Sequence, residues 1–286
     1  MPRKRVLLLA DESRPKVAEA ATMLRRELDG HLEIAAQRPV NGDPLEDLPE
    51  LDVAIAIGGD GTLISQARRL VDLGLPLIGV NTGRLGFLAE FDCASLIEQA
   101  DIVFGDAAPS HDHLLLQVHL ENGDDSEPQR SLAMNDAVIT SGAPFRMIEL
   151  ALSINGADGP RLNGDGMIVA TPVGSTAYNV SAGGPIVHPQ LEALTITPLA
   201  AHSLAFRPLV LDAGGEIRAT LLRANEGTTL IADGQPLQTL RQGDTVVFTG
   251  YPKKVRLILN PSATYWRILQ DKLRWAAPPT YRDEKS

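Results

Sequence analysis

The sequence predicts an α/β + β protein: a doubly wound α/β domain followed by an all-β sandwich. Over residues 6–80, short apolar runs alternate with stretches of helical period, the order that builds a sheet with helices packed on it. From Pro109 onward, short β-rich runs follow one another between turn signals, as in packed antiparallel sheets. After Asn260 the period becomes helical again. These shifts divide the chain into residues 1–108, 109–260 and a tail, 261–286.

The elements follow in order. Residues 6–10 are a short uninterrupted apolar run, as in a buried parallel strand. Pro15 opens a stretch in which Val17, Ala20, Ala21, Leu24 and Leu28 recur at helical spacing; proline suits the first turn and Gly30 a stop. Residues 32–36 predict a second strand. Residues 53–57 predict a third, fully buried one that ends at Gly58-Gly59. Residues 62–71 read as a helix and 77–80 as a strand, followed by the loop Asn81-Thr82-Gly83-Arg84-Leu85-Gly86-Phe87. In the second domain, strands are predicted over 113–120, 130–134, 137–141, 147–154, 166–170, 217–222, 228–232, 245–249 and 255–259. Asn122-Gly123-Asp124 and Asn155-Gly156 supply turns among them. In the tail, Tyr265, Ile268, Leu269 and Leu273 share one helical face beside Trp266, and the final residues read as frayed.

Composition narrows the function classes. With 286 residues, 44% hydrophobic and 22% charged, the chain can bury a sizeable core. A net charge of −10 argues against a nucleic-acid partner, which needs a basic face, but leaves room for phosphate held locally by backbone N–H groups. No stretch approaches the roughly 18 apolar residues of a membrane span. Asp11 and Glu12 cut the first apolar run short of a signal-peptide core. Cys93 is the single cysteine, so no internal disulfide forms and a reducing, cytoplasmic location is expected.

Three segments can carry chemistry. Gly58-Gly59-Asp60-Gly61-Thr62 sits at the carboxyl end of a predicted strand and opens a helix, where open α/β sheets place their ligands. Glycines let the backbone approach a phosphate, and a helix N-terminus offers free donors. The loop lacks the Walker A lysine pattern. Asp60 costs electrostatic energy beside phosphate unless it binds a metal or takes a proton; a tight turn with Asp60 or Thr62 as helix cap explains the same residues. The second segment, residues 163–186, packs Gly174, Gly183 and Gly184, the hydroxyls of Ser175, Thr176 and Ser181, and one aromatic, Tyr178, which can stack on a base. A plain Gly/Ser-rich connection is the alternative. The third, Asn135-Asp136 before an apolar strand, offers an amide and a carboxylate to sugar hydroxyls, or is a simple turn.

In this order, Gly58 to Thr62, Asn81 to Leu88, Asn135-Asp136, Asp165 to Pro185 and Asp233-Gly234-Gln235 resemble the NAD kinase family, over most of the chain. The glycine motif alone is shared with diacylglycerol and sphingosine kinases; the run from Asp165 to Pro185 is specific to NAD kinases. The resemblance implies that the tail folds back on the first domain and that NAD is phosphorylated by ATP with Mg²⁺ in a homodimer or homotetramer. It implies that Asp60 is the catalytic base on the ribose 2′-hydroxyl and that Gly58, Gly59, Gly61 and Thr62 form the phosphate loop. It further implies NAD contacts at Asp60, Gly61, Asn135, Asp136, Arg146, Asn163, Asp165, Thr176, Ala177, Tyr178, Asn179, Val180, Ser181 and Gln235, and no resident metal ligands. Two departures stand out: Asp136 where many relatives carry Glu, and Asn163 where many bacterial relatives carry Arg. The second bears on the choice between NAD and NADH. A lipid kinase is the alternative enzyme, and an NADP-binding sensor with a decayed site is the non-enzymatic one.

Overall fold

The computed structural model describes residues 3–40, 45–83, 86–121, 130–203 and 205–276. The turn expected at 122–124, the loop residues Arg84 and Leu85, and the end of the tail lie outside them. The chain forms two compact units. One comprises Met1–Arg69, Leu75–His111 and Arg256–Ser286; the other comprises Leu70–Gly74 and Asp112–Val255.

The first unit contains β1 (Lys4–Leu9), α1 (Pro15–Glu27), β2 (Leu32–Arg38), β3 (Val53–Ile57), α2 (Asp60–Leu70), β4 (Leu77–Val80), α3 (Cys93–Glu98) and α4 (Ala100–Val103). Its strands are parallel in the order β2-β1-β3-β4. Every residue of β3 and β4 is buried, which is why both read as continuous apolar runs. Pro15 starts α1 as expected, and Val17, Ala20, Ala21 and Leu24 are its buried face. Helix α2 begins at Asp60, two residues earlier than its apolar period predicts, because the glycine turn belongs to its first turn. Asp92 closes a capping box with Ser95 at the start of α3. Burial pushes the Cys93 thiol up, in keeping with an inert small hydrophobe.

The second unit holds two sheets. Its strands are β5 (Ser110–Glu121), β6 (Ser131–Ala133), β7 (Asp136–Thr140), β8 (Ile148–Ile154), β9 (Ala157–Gly164), β10 (Gly166–Ala170), β11 (Ala193–Leu199), β12 (Leu209–Asp212), β13 (Glu216–Arg223), β14 (Thr229–Ala232), β15 (Gln235–Thr239) and β16 (Thr245–Ile258). Strands β16-β13-β8-β9, with β5 and β6, form one sheet; β12-β11-β10-β7-β14-β15 form the other. Their inner faces meet in one core that includes Leu116, Leu150, Phe248, Ile139, Met167 and Ile196. A short helix, α5 (Tyr178–Ser181), follows a 3₁₀ turn at Gly174–Thr176.

Four strands escape the sequence pattern: β9, β11, β12 and β15. Strands β9, β12 and β15 lie at sheet edges, and β9, β11 and β15 contain Pro160, Pro198 and Pro236. Edge strands with one face open to water and a proline in them lose both the apolar run and the alternation that mark a strand. In the tail, α6 (Tyr265–Leu273) forms where the helical face predicts it, capped by the Thr264 hydroxyl, and belongs to the first unit.

Candidate active site

Strand β3 ends at Ile57 and α2 starts at Asp60, so the glycine pair makes the turn between them. Gly58 has no room for a side chain: an added Cβ would stand 2.3 Å from the Thr62 hydroxyl oxygen. Gly59 and Gly61 are exposed and open on their Cβ side, free to bring main chain against a ligand. The Asp60 carboxylate is turned onto its own unit. Its Oδ2 accepts from the Phe87 amide at 2.8 Å, and its Oδ1 from Leu88 and Ala89 at 3.1 and 3.0 Å. Gly86 sits against it, since a Cβ there would fall 1.9 Å from Oδ1. Just beyond this loop, Asn260 donates its amide to Glu90 Oε2 at 3.0 Å and its side-chain nitrogen to the Glu90 carbonyl at 3.1 Å. A carboxylate offers about four lone-pair positions, so three amides leave Asp60 roughly one for a substrate proton.

The second unit gathers its own group. A cavity of about 430 Å³ is lined by Asn135, Asp136, Val138, Thr140, Ala177, Tyr178, Ile231, Asp233 and Gly234. Local packing explains why residues far apart in sequence meet there. The Thr171 amide donates to the Asn135 carbonyl, and its hydroxyl to the Met134 carbonyl at 2.6 Å. Gly174 lies so close to Asn135 that a Cβ would meet its carbonyl oxygen at 1.9 Å. Tyr178 is 49% exposed, so its ring is available at the rim rather than spent in the core. Asp136 is only 5% exposed. Burial, then the charge of Asp233, push its carboxyl up to about 7. A buried acid that is half neutral near pH 7 both donates and accepts hydrogen bonds.

Both halves of the chain match families of known proteins. Residues 16–107 match the ATP-NAD kinase N-terminal domain and residues 134–259 the ATP-NAD kinase C-terminal domain. The NAD kinase of Geobacter metallireducens is 40% identical over 82% of this chain and 83% of its own. That of Rhodopirellula baltica is 36% identical over 95% and 87%. The chain belongs to the ATP-NAD kinase family. Among solved structures it is similar to yeast NADH kinase complexed with NADH, with TM-score 0.85, 25% identity and coverage of 99% of this chain and 90% of that one. An NAD kinase from Archaeoglobus fulgidus in complex with ATP gives TM-score 0.73 and 26% identity over 94% and 98%.

Within the family frame, the expected contact residues separate into groups. Asn135, Asp136, Ala177 and Tyr178 share the cavity above. Thr176, Val180 and Ser181 belong to the same turn and helix α5, though the cavity lining does not include them. Asn179 departs from expectation. It is fully buried; its Nδ2 donates to the Ser175 and Pro185 carbonyls and its Oδ1 accepts from the Thr195 and Thr197 hydroxyls. With its amide spent on the fold, Asn179 is a scaffold residue whose side chain has nothing left for a ligand. Gln235 is exposed at the start of β15, one residue past the cavity lining. Arg146 lines a different cavity, about 780 Å³, together with Arg223 and Glu226. Asn163 lies on β9 opposite Glu149 and accepts from Arg223 Nη2 at 3.4 Å; Asp165 is exposed between β9 and β10.

Two sets of partners escape the sequence. Phe87, Leu88 and Ala89 hold Asp60 through main-chain amides, which no side-chain pattern reveals, although residues 81–88 belong to the resemblance. In the sequence Asp233 figures only as part of the resemblance carried by Asp233-Gly234-Gln235; the structure places it in a hairpin turn that lines the cavity.

Proposed function

We propose that the protein transfers the γ-phosphoryl group of ATP to the 2′-hydroxyl of the adenosine ribose of NAD, giving NADP. The observation that carries this reading is the cavity bearing Asn135, Asp136, Ala177 and Tyr178 in a chain related to NAD kinases over both domains. The lipid-kinase alternative rests on the glycine motif alone and draws no support from these relatives.

In this reading the open backbone at Gly59 and Gly61, at the start of α2, approaches phosphate oxygens, where the helix dipole favours negative charge. Tyr178 and Ala177 form the apolar wall for a base, while Asn135 and Asp136 meet sugar hydroxyls. Asp60 uses its remaining acceptor position on the ribose proton, and its three amide bonds fix the direction from which it can act. Phosphoryl transfer asks chiefly for positioning and charge neutralisation, which such fixed groups supply. Among the described residues, no three His, Cys, Asp or Glu side chains gather into a metal-ligand set. Mg²⁺ enters this proposal with the nucleotide substrate, held by phosphate oxygens and water. A homodimer or homotetramer in the cytoplasm completes the proposal.

The test is purified protein with NAD, ATP and Mg²⁺, NADP being followed by an NADP-specific dehydrogenase. NADP formation with no phosphorylation of diacylglycerol supports the reading; phosphorylated diacylglycerol without NADP overturns it.

A further inference from the structure

Asp233 and Gly234 join β14 to β15 as a two-residue turn with φ of 45° and 75°. Asn155 and Gly156 make the same kind of turn between β8 and β9, with φ of 53° and 76°. Both fit the type I′ hairpin, in which Asn or Asp followed by Gly accepts left-handed backbone. The two turns differ in where the first side chain goes. Asn155 Oδ1 accepts from the Glu216 amide, which lies outside both cavities that line with Asp136 or Arg146. The Asp233 carboxylate instead accepts from three consecutive amides: Met134 at 2.9 Å, Asn135 at 2.7 Å and Asp136 at 3.3 Å. The Asp233 amide closes the loop by donating to the Asp136 carbonyl at 2.9 Å. One turn residue thus holds the main chain of two cavity residues, across nearly a hundred residues of sequence.

We propose that Asp233 is a positioning residue of the dinucleotide site: its carboxylate fixes residues 134–136 so that Asn135 and Asp136 face the ligand. This rests on the NAD kinase reading. Asp233 does not need to touch the reacting atoms; it acts through the strand end it holds.

The same carboxylate leaves a mark that a scaffold role would not. Asp136 is flanked in the sheet by Ala170 of β10, while its neighbour Ala137 faces Ala232 of β14. Asp233 is the charge acting on it, and Tyr178 is the other titratable group lining the cavity. Below pH 7, neutral Asp136 offers a donor; above it, the ionised acid only accepts and repels the anionic dinucleotide. KM for NAD therefore changes as pH passes through about 7. Removing the Asp233 charge moves that break to lower pH.

The test compares wild type with Asp233→Asn and Asp233→Gly. Both substitutions suit left-handed backbone, so the turn survives. Asparagine removes the charge but keeps one acceptor; glycine removes every acceptor. NADP formation is measured against NAD concentration at saturating ATP, from about pH 5.5 to about 9, the range over which a carboxyl titrating near 7 changes form. Glycine is expected to raise KM for NAD by roughly tenfold or more, with kcat falling by less. Asparagine is expected to raise KM less and to shift its pH break downward. KM within about twofold of wild type in both variants, or an unmoved break in Asp233→Asn, overturns the proposal even if both melt earlier. A wild type that makes no NADP overturns the NAD kinase reading and this proposal with it. An active wild type with unresponsive variants overturns the positioning role alone.

Discussion

Asp60 and Asp233, in different compact units, do the same local work. Each carboxylate gathers three consecutive backbone amides: Phe87 to Ala89 for Asp60, Met134 to Asp136 for Asp233. They differ in what they hold. Asp60 is itself the proposed base and is steadied by a loop 27 to 29 residues away. Asp233 steadies other residues, 97 to 99 away, and loads one of them with its charge. A conspicuous motif and an ordinary hairpin turn thus conceal the same device. The role of each follows from what sits on the held segment.

The largest effect should come from Asp60. Asp60→Asn is expected to lower kcat by ~10²–10⁴, the range of general-base assistance. Asparagine is not neutral for the loop, because its NH₂ group would face amide donors. If turnover is lost while the amides of 87–89 stay protected from exchange, Asp60 is chiefly a base; if both go, the clamp matters as much. Next, Gly86→Ala places a methyl group 1.9 Å from Asp60 Oδ1 and must displace it. A loss of up to about 10² in kcat is expected from such a misplacement. Wild-type turnover in that variant would show that the carboxylate position does not matter.

Asp136→Asn addresses the other half through stability. The folded carboxyl is raised from 3.8 to about 7, so the fold prefers the neutral acid. Wild-type stability from this group is intact below the unfolded pKa and is lost as pH rises through about 7. Asparagine cannot ionise. Its advantage over wild type should grow from about pH 4 to about pH 7 and then level off, at ~1.4 kcal/mol per pH unit as an upper bound. Melting temperatures across that range check it, and a pH-independent difference would contradict the assignment. Tyr178→Ala should weaken NAD binding by about 1–3 kcal/mol through lost stacking. Unchanged affinity with lost stability would return Tyr178 to the core, despite its half-exposed ring.

The smallest effect concerns the choice of redox form. NAD and NADH differ by one positive charge, and Asn163 is neutral. Arg161 is drawn to Glu149 at 3.8 Å, while Arg223 reaches Asn163. Weak discrimination is expected, with kcat/KM for NADH within about tenfold of NAD, a gap of about 1.4 kcal/mol. Parallel assays decide it, and a hundredfold preference for NAD would contradict it.

Much of this architecture was legible in the residues. Buried parallel strands such as β3 announce themselves because both faces want apolar side chains, and Pro15 marks a helix start by its chemistry. The edge strands β9, β12 and β15 were not, since their stability comes from a neighbour's hydrogen bonds rather than from their own pattern. The same limit applies in the site. Glycine motifs signal close backbone approach, but main-chain amides carry no sequence signature, so both three-amide clamps were invisible. Asn179 misled in the other direction: a polar residue inside a ligand-specific run turned out to be fully buried and to serve the turn itself.

The most direct test of the two-clamp account is amide hydrogen exchange on wild type, Asp60→Asn and Asp233→Gly. The account predicts that Asp60→Asn loses protection at 87–89 and leaves 134–136 unchanged, and that Asp233→Gly does the reverse. Folded variants in which both segments keep wild-type protection would contradict it.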